Sequence, residues 1–553
     1  MPAAPEIVIL DGRLITFDPT LPVAEALAIQ GGRIVAVGST ADIRDMASGA
    51  QVIDAGGGTV LPGFVDSHVH LFNGSAELDY LNLHGVTTAR ALTEAVNDYA
   101  AARPDEPIIF ASAAGYDAYD GQSPTRHDLD RILPDRAFAY MASDHHTVWA
   151  NTKALQAAGL LHGAPMPEGS EVVMGPDGLA SGELRETGAF GPIMKLTKYG
   201  GRDLLGYVTG DDPDPPATAA ERAADRAVIT RGMAHCARKG ITGLHNMDGN
   251  FYQLELLQEM DKDRILLCRT EVPMHLKNYD PLDRIDEAVD MRRAYASDMV
   301  WSGRVKMFMD GVIDSRTALM LRPYPGTETY GDPVFSAEHF NAAAIRADAA
   351  GLQISAHAIG DAAVRRTLDG YEAAQAANGV RDSRHRIEHI EVIHPDDLPR
   401  LAALGTVASI QPMHAPAGGY FPPYEAGDVL HADQLPYAFA WNRIRETGVP
   451  IIFSTDWPVV PVDVMPSIRA AVAPLSFGPA WEGRAQTLRD TFWAMTAGAA
   501  WVEFNEHRKG QLRAGMMADV VIMSHDLEAL HPEELTEAHA AVTICGGRIT
   551  HEG

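Results

Sequence analysis

Short hydrophobic runs rich in β-branched residues occupy both ends of the chain and predict strands there. Glycine and aspartate turns separate the runs at residues 6–10, 12–17, 26–29 and 32–38, and similar runs recur at 518–523 and 541–550. Because the two ends share one pattern, they predict a single small β domain made from residues 1–59 and 506–553.

The middle of the chain, residues 60–505, alternates strand-like and helix-like segments. The predicted strands lie at 60–66, 241–246, 265–274, 304–309, 353–357, 386–389, 407–411 and 451–454. Helical patterns occupy the stretches 219–239, 361–377, 395–404 and 433–447 between them. Eight such alternations predict an α/β fold, a parallel (β/α)8 TIM-like barrel. About 170 residues separate the first two strands, far more than one crossover helix needs, which predicts a large insertion at about 75–215.

Composition excludes several classes of protein. The chain has 553 residues, of which 46% are hydrophobic and 22% charged, as in globular proteins. A net charge of −29 argues against binding to nucleic acid or to an anionic membrane, and no apolar run is long enough to span a bilayer. The cysteines Cys236, Cys268 and Cys545 lack metal-ligand spacing, and no secretory signal pattern is visible, so we expect reduced thiols in a cytoplasmic protein.

The most informative motif is the pair His68 and His70 in Pro62-Gly-Phe-Val-Asp-Ser-His-Val-His. Alternate side chains of a strand point to the same side, so both imidazoles converge at the end of the first barrel strand. Two converging imidazoles form half of a metal site. The alternative is two unrelated surface histidines.

Four later strands carry further ligand-type residues, which are Lys306, His357, His389 and Asp456. A single histidine after a strand is more often a hydrogen-bonded polar residue than a ligand. In a barrel, however, side chains at these strand ends point into one mouth. The set therefore predicts one metal centre.

Lys306 lies within the apolar run Val305-Lys-Met-Phe-Met, where an ammonium beside metal ions would be repelled. One alternative is a lysine that reaches solvent or pairs with Asp310. The functional interpretation is an amine that has reacted with carbon dioxide, giving an anionic carbamate whose two oxygens bridge two metals.

These residues resemble the metal-dependent amidohydrolase superfamily. The further stretches that begin at Ser143, Val305, His357, Arg386 and Ser454, such as His357-Ala-Ile-Gly-Asp and Ser454-Thr-Asp-Trp-Pro-Val, are similar to the YtcJ-like branch, which includes N-substituted formamide deformylases. The resemblance covers nearly the whole chain. It implies a barrel joined to a β-sandwich built from both termini.

The resemblance also implies the ligand set and the reaction. One divalent metal, expected to be zinc, takes His68, His70 and Asp456, and the other takes His357 and His389, with carboxylated Lys306 shared. A bridging hydroxide attacks an amide-like carbonyl, and Asp456 carries its proton to the leaving nitrogen.

The surroundings of this centre suggest substrate contacts. His145, His146 and Trp149 of the insertion, which is predicted to cover the barrel mouth, and Trp457 are candidates for binding substrate. The alternative is that Trp149 belongs to a core and that Asp144 or Asn151 caps the helix after it. His414 is a candidate catalytic donor to the oxyanion, or a plain loop histidine.

The predicted function is hydrolysis of a carbon–nitrogen bond, other than a peptide bond, in a small amide-like substrate. Hydrolysis of cyclic amides, deamination, or a metal-binding regulatory role without turnover are the alternatives. No nucleic-acid or membrane partner is expected, and a homodimer is left open.

Overall fold

The computed structural model describes residues 5–167, 170–421, 428–475 and 485–553 of a mixed α/β protein. The chain divides into two compact units. Unit 1 comprises Met1–His70 and Met233–Gly553, and unit 2 comprises Leu71–Gly232.

The strands, in chain order, are β1 Ile7–Leu10, β2 Arg13–Ile15, β3 Val23–Ala24, β4 Ala26–Gln30, β5 Arg33–Gly38, β6 Gln51–Asp54, β7 Thr59–Pro62, β8 Phe64–Val69, β9 Leu81–Asn82, β10 Ile109–Ala114, β11 Phe138–Ala142, β12 Thr147–Ala150, β13 Glu171–Met174, β14 Ala180–Arg185, β15 Ile241–Asn246, β16 Arg269–Glu271, β17 Met274–His275, β18 Val300–Trp301, β19 Arg304–Phe308, β20 Gln353–Ala358, β21 Arg386–His389, β22 Val407–Ile410, β23 Ile451–Phe453, β24 Val520–Met523, β25 Ala540–Cys545 and β26 Arg548–Glu552.

The α-helices are α1 Thr40–Arg44, α2 Leu71–Glu77, α3 Ala89–Ala101, α4 Arg126–Ile132, α5 Thr152–Ala157, α6 Glu186–Met194, α7 Arg202–Val208, α8 Ala219–Ala237, α9 Phe251–Lys262, α10 Ile285–Ala294, α11 Ala337–Ala349, α12 Asp361–Asn378, α13 Leu398–Ala403, α14 Trp441–Glu446, α15 Val464–Val472, α16 Leu488–Ala494 and α17 Ala497–Val502.

Two sheets of unit 1 combine strands from the chain ends. One has the order β5-β4-β1-β6, and the other has the order β26-β25-β24-β7-β2-β3. Their side chains share one hydrophobic cluster, in which Ile9 and Leu27 of the first sheet accompany Val520 and Ile544 of the second. Strands from both ends of the chain meet in the second sheet, where β7 pairs with β24.

Two further sheets of unit 1 are entirely parallel. Their orders are β18-β16-β15-β8 and β17-β19-β20-β21-β22-β23. An isolated parallel bridge between Val69 and Trp457 joins the end of β8 to the chain just after β23. The strands are buried on both faces, as parallel strands covered by helices are. Within each of these two sheets, the carboxyl ends of the strands therefore lie at the same edge.

The bounds of three predicted elements are wrong. The predicted strand 60–66 is two strands, because the chain changes sheet between Pro62 and Phe64. Gly63 lies at this change, where a Cβ would collide with the side chain of Thr242. The predicted strand 265–274 shrinks to β16 and β17, separated at Pro273, which has no amide hydrogen for a ladder. The predicted helix 433–447 keeps only α14, after a 3-10 turn at Leu435–Tyr437 and a left-handed residue at Phe439.

Unit 2 contains one six-stranded sheet of order β13-β14-β12-β11-β10-β9. Leu92 and Val96 of α3 and Leu129 of α4 share a buried cluster with Phe138 and Trp149 of this sheet. Residues 71–232 include the range 75–215 that the sequence predicts as an insertion.

The cysteines are all free and buried, and no helix in the described part of the chain has the length and apolar character of a membrane span.

Candidate metal centre

The predicted ligands of unit 1 lie at the carboxyl ends of parallel strands. His68 is near the end of β8 and His70 directly follows that strand. His357 and His389 lie in the last two residues of β20 and β21, and Asp456 lies three residues beyond β23. Three of these residues converge directly: side-chain nitrogens of His68 and His70 and an oxygen of Asp456 lie within 4.8 Å of one another.

Carboxylates orient the first two histidines. His68 Nδ1 lies 2.8 Å from Glu388 Oε2, and His70 Nδ1 lies 2.5 Å from Asp248 Oδ1. These contacts orient the rings and turn each Nε2 toward Asp456 Oδ1, at 3.4 Å for His68 and 3.2 Å for His70. A carboxylate behind a histidine is the arrangement that holds metal-binding imidazoles and makes them more basic.

The same two histidines differ in pKa. Burial and the nearby ammonium of Lys306 lower the pKa of His68 to about 3, so its ring is neutral, the form that binds metals. Burial acts in the same direction on His70, but the carboxylates of Asp248 and Asp456 outweigh it and raise its pKa to about 9. A cation bound at His70 would therefore displace a proton.

Neutral oxygens orient the other two histidines. His389 Nδ1 lies 2.7 Å from Gln411 Oε1, and Nε2 of His357 lies 3.1 Å from the carbonyl oxygen of Gly311. The two ring centroids are 4.5 Å apart, and that of His389 is 4.9 Å from that of His68. Burial keeps the pKa of both rings well below the ordinary value, with the electrostatic effect of neighbouring histidines and Lys306 adding to it. All four predicted histidines therefore belong to one buried cluster.

Asp456 is the acid at the centre of this cluster. It is 5% exposed, and its Oδ1 has no hydrogen-bond partner in the described part of the chain. Burial favours the protonated acid, but His68, His70 and His389 hold the pKa of Asp456 well below its usual range. Its backbone amide donates to the carbonyl of His68 at 2.8 Å. A buried carboxylate oxygen that faces imidazole nitrogens is suited to bind a cation together with them.

Lys306 lies inside β19 and is completely buried. Its Nζ has no hydrogen-bond partner within the described residues and lies 4.5 Å from the centroid of the Phe308 ring. Burial lowers the pKa of Lys306 to about 8, although Glu388 and Asp456 oppose that shift. The alternative pairing with Asp310 does not occur, because that carboxylate accepts the backbone amides of residues 319, 359 and 360.

His414 lies beside the same cluster. Its ring stacks on His389 at 5.6 Å and 8°. Nδ1 lies 3.4 Å from Glu391 Oε1, and Nε2 lies 3.6 Å from Asp456 Oδ2. Nitrogens of His389 and His414 and an oxygen of Asp456 form a second group that could hold a metal ion. His414 therefore has two possible roles: the predicted hydrogen-bond donor or a metal ligand.

Two residues of the cluster and a neighbour of one of them have a strained backbone. His389, Ile390 and Asp456 have φ values of +78°, +47° and +64°, in the left-handed region that side chains other than glycine rarely adopt. Strained backbone persists where the surrounding structure fixes it, often at functional sites.

The predicted substrate contacts in unit 2 form their own local interactions. His145 Nε2 lies 2.7 Å from Glu77 Oε1, and His146 Nδ1 lies 2.9 Å from Glu186 Oε1. Trp149 is 1% exposed and donates from Nε1 to Ser123 Oγ at 2.7 Å.

Unit 1 supplies the last predicted substrate residue, Trp457, which is 4% exposed, and its carbonyl oxygen accepts the amide of His70. The helix-capping alternative is correct for Asn151, whose side chain accepts the amide of Ala154. The substrate-binding roles of His145, His146, Trp149 and Trp457 stay predictions.

Sequence reasoning missed the residues behind the ligands. Glu388, Asp248, Gln411 and Glu391 each contact one histidine of the centre. The sequence marks two of these four residues by their position. Glu388 directly precedes His389, and Gln411 ends a predicted strand.

The sequence matches the amidohydrolase family over residues 51–551. The chain belongs to that family. Three relatives extend over nearly all of this family member. They are the protein LONG AFTER FAR-RED 3 of Arabidopsis thaliana, with 28% identity over 94% of this chain and 87% of its own; the amidohydrolase YtcJ of Bacillus subtilis (strain 168), with 27% identity over 96% of each; and the N-substituted formamide deformylase of Arthrobacter pascens, with 25% identity over 99% and 98%. These relatives support the predicted YtcJ-like branch.

Solved structures share the fold of this amidohydrolase. A metal-dependent hydrolase from Pyrococcus horikoshii OT3 superposes with a TM-score of 0.74 at 22% identity, covering 95% of this chain and 99% of the other. Atrazine chlorohydrolase TrzN from Arthrobacter aurescens TC1, complexed with zinc, gives 0.54 at 16% identity, covering 99% and 95%.

Proposed function

We propose that this amidohydrolase is a dinuclear metal-dependent enzyme that hydrolyses an acyclic amide-like carbon–nitrogen bond. The observation that carries the proposal is the buried cluster of four histidines and Asp456 at or beyond the strand ends, with the buried Lys306 of β19 close enough to lower the pKa of His68 and His357.

The donor set fits two zinc ions. Imidazole nitrogens and carboxylate oxygens are ligands that zinc prefers, and a catalytic site keeps a position open for substrate. We assign His68, His70 and Asp456 to one ion and His357 and His389 to the other. The amine of Lys306 is buried and has no hydrogen-bond partner among the described residues, and it is costly to leave as an isolated ammonium. This supports its conversion to a carbamate, which would supply negative charge for holding the ions.

When bound, the metals would lower the pKa of a water molecule to roughly 7 and polarise the substrate carbonyl. Asp456, held as a carboxylate, accepts the proton of the attacking water. It then delivers that proton to the nitrogen as the carbon–nitrogen bond breaks, so that an amine leaves. His414 donates from Nε2 to the oxygen on which negative charge develops, with its ring oriented by Glu391.

The proposal also covers the architecture of unit 1, which we take to be a barrel and a β-sandwich. The two parallel sheets, joined by the Val69 bridge, support closure into a (β/α)8 barrel, and the shared cluster of the terminal sheets supports a β-sandwich. The ligands would then surround the mouth of the barrel.

The substrate class follows from the relative rather than from the pocket. The Arthrobacter pascens relative is named an N-substituted formamide deformylase. We therefore propose a small N-substituted amide or formamide as substrate.

The test is a substrate panel with zinc-loaded protein: an N-alkyl formamide, an N-acyl amino acid and a lactam. We expect the highest kcat/KM for the formamide, with formate and an amine released in equal amounts. In Asp456→Asn, turnover should fall at least about a thousandfold. Turnover of the lactam alone would support the cyclic-amide alternative, and two bound ions without any turnover would support a regulatory protein.

A further inference from the structure

Unit 1 contains a cavity of about 260 Å³ that the proposed reaction does not use. We call it the Ser302 cavity. It is lined by Ser302, which precedes β19, and by Arg269, the first residue of β16. The proposed ligands lie at the opposite, carboxyl ends of the parallel strands. The Ser302 cavity therefore lies beside the amino ends of β16 and β19 and the carboxyl end of β18.

The lining carries more positive than negative charge. Three of its cations have acid partners: Arg269 pairs with Asp519, Arg508 with Asp298 and Lys509 with Glu503. The fourth, Arg292, donates to the backbone carbonyls of residues 350 and 351 and has no acid partner in the described part of the chain. A guanidinium has five N–H donors, so this residue retains donors for an anion. The positive charge of Arg292 is therefore not neutralised by an acid in the described part of the chain, although the protein as a whole has a net charge of −29.

Ser302 supplies a second, independent observation. The residue is 3% exposed, and its Oγ has no hydrogen-bond partner among the residues described. Buried hydroxyls nearly always have a partner, supplied by protein, water or ligand. Trp301 lies beside it, with its ring centroid 5.3 Å from Nζ of Lys509. The cavity thus offers a hydroxyl donor, an aromatic face and a guanidinium.

A continuous chain of polar contacts leads from the Ser302 cavity to the candidate metal centre. The contacts are Lys509–Glu503 at 2.7 Å, Glu503–His245 at 2.8 Å, His245–Arg386 at 3.0 Å, Arg386–Glu388 at 3.0 Å and Glu388–His68 at 2.8 Å. All the residues in this chain are buried. An anion that competes with Glu503 for Lys509 would loosen the chain at its start.

We propose that the Ser302 cavity binds a small organic carboxylate, and that its occupancy weakens the hold of His68 on metal. The carboxylate pairs with Arg292, accepts from the Ser302 hydroxyl and competes with Glu503 for Lys509. Its apolar part packs on Trp301. The binding step stands apart from the proposed function, whereas the link to His68 rests on the proposed metal centre.

Binding is tested by calorimetric titration of the zinc-loaded protein with benzoate, and with benzamide as its uncharged counterpart. We expect benzoate to bind at least about tenfold more tightly than benzamide. Arg292→Met should raise the Kd for benzoate about tenfold and Ser302→Ala about fivefold, because one ionic and one neutral hydrogen bond are lost. Arg293→Met is the matched control and should leave the Kd unchanged, because Arg293 pairs with Asp290 at the surface.

Ser302→Ala removes a hydroxyl without a partner, so its Tm should not fall and weaker binding cannot be ascribed to unfolding. Absence of benzoate binding would overturn the proposal. So would a Kd that neither cavity variant changes, since benzoate would then bind elsewhere, for example at the metals.

The link to His68 is tested by the rate at which zinc passes to a chelator. At a benzoate concentration near the Kd of the unaltered protein, benzoate should speed this transfer at least about threefold in the unaltered protein and clearly less in Ser302→Ala, which is less occupied at that concentration. Equal rates with and without benzoate would overturn the link and leave the result of the binding experiment standing.

Discussion

Two groups of histidines in this molecule look alike in sequence and differ in structure. In unit 1, His68 and His70 each have a carboxylate on Nδ1 and turn Nε2 toward the same oxygen of Asp456. In unit 2, His145 and His146 are adjacent in the chain, yet each contacts its own glutamate.

The difference shows that a metal site needs convergence as well as ligand-type residues. A carboxylate behind a ring and a shared oxygen in front of two rings orient both imidazoles toward one point. His145 and His146 each contact a different glutamate, and these two contacts do not orient the rings toward one point. We therefore expect changes in the first group to alter metal binding, and changes in the second to alter stability.

The largest effect is expected from Lys306→Ala. Loss of the proposed shared carbamate should remove both metals and reduce activity at least about a thousandfold. Added formate or bicarbonate should restore part of both. Metal analysis and turnover check this, with Lys262→Ala, an exposed helical lysine, as control. Near-normal turnover by Lys306→Ala with one metal per chain would show that the bridge is not needed.

The next effect concerns the acid behind His70. Asp248→Asn keeps the shape of the side chain and removes its charge, and metal affinity should fall about 10–100-fold. Competition with a metal-binding dye measures this. Glu186→Gln removes the acid partner of His146 in the same way and should leave metal affinity unchanged. Equal losses in the two variants would break the distinction between the groups.

A smaller effect should separate the two roles open to His414. If it is a hydrogen-bond donor to the reacting oxygen, His414→Gln should lower kcat about a hundredfold with metal content unchanged. Loss of a metal ion from this variant would instead make His414 a ligand together with His389 and Asp456.

The smallest effect is a pH-dependent contribution of His146 to stability. Burial opposes protonation, but Glu186 raises the pKa of His146 to about 9, above an unfolded value of about 6.5. The pair therefore stabilises the fold fully below about pH 6.5, and the contribution is lost as the pH rises through about 9.

After allowance for partial exposure, this contribution is about 1–2 kcal/mol. Thermal unfolding of the unaltered protein and of His146→Gln at several pH values measures it, with His127→Gln as an exposed control. A stability difference that stays constant between about pH 6 and about pH 10 would contradict the assignment.

The clustering of His68, His70, His357, His389 and Asp456 could be predicted from the sequence, because each stands at or just beyond the end of a strand with a clear apolar pattern. Their role as ligands stays a prediction. Glu388 is marked in the sequence only as the residue that precedes His389. The contact partners of Glu388 and Asp248 could not be predicted, because the chain order does not show which distant histidine each one meets, His68 or His70. His145 and His146 looked like equally good site residues for the same reason.

Strand bounds failed where tertiary contacts override local pattern. The predicted strand 60–66 contains Pro62 and Gly63, and the chain changes sheet there. At Gly63 the side chain of Thr242, far along the sequence, leaves no room for a Cβ, a contact that the local pattern cannot show. Pro273 gave a visible signal that the third predicted strand breaks.

Counting the metal ions bound per chain tests the central claim most directly. The unaltered protein should hold two ions, and the double variant His68→Ala, His357→Ala should hold close to none, because each proposed site loses a ligand. The matched double variant His145→Ala, His146→Ala should still hold two. Full metal content in the first double variant, or equal loss in both, would contradict the account.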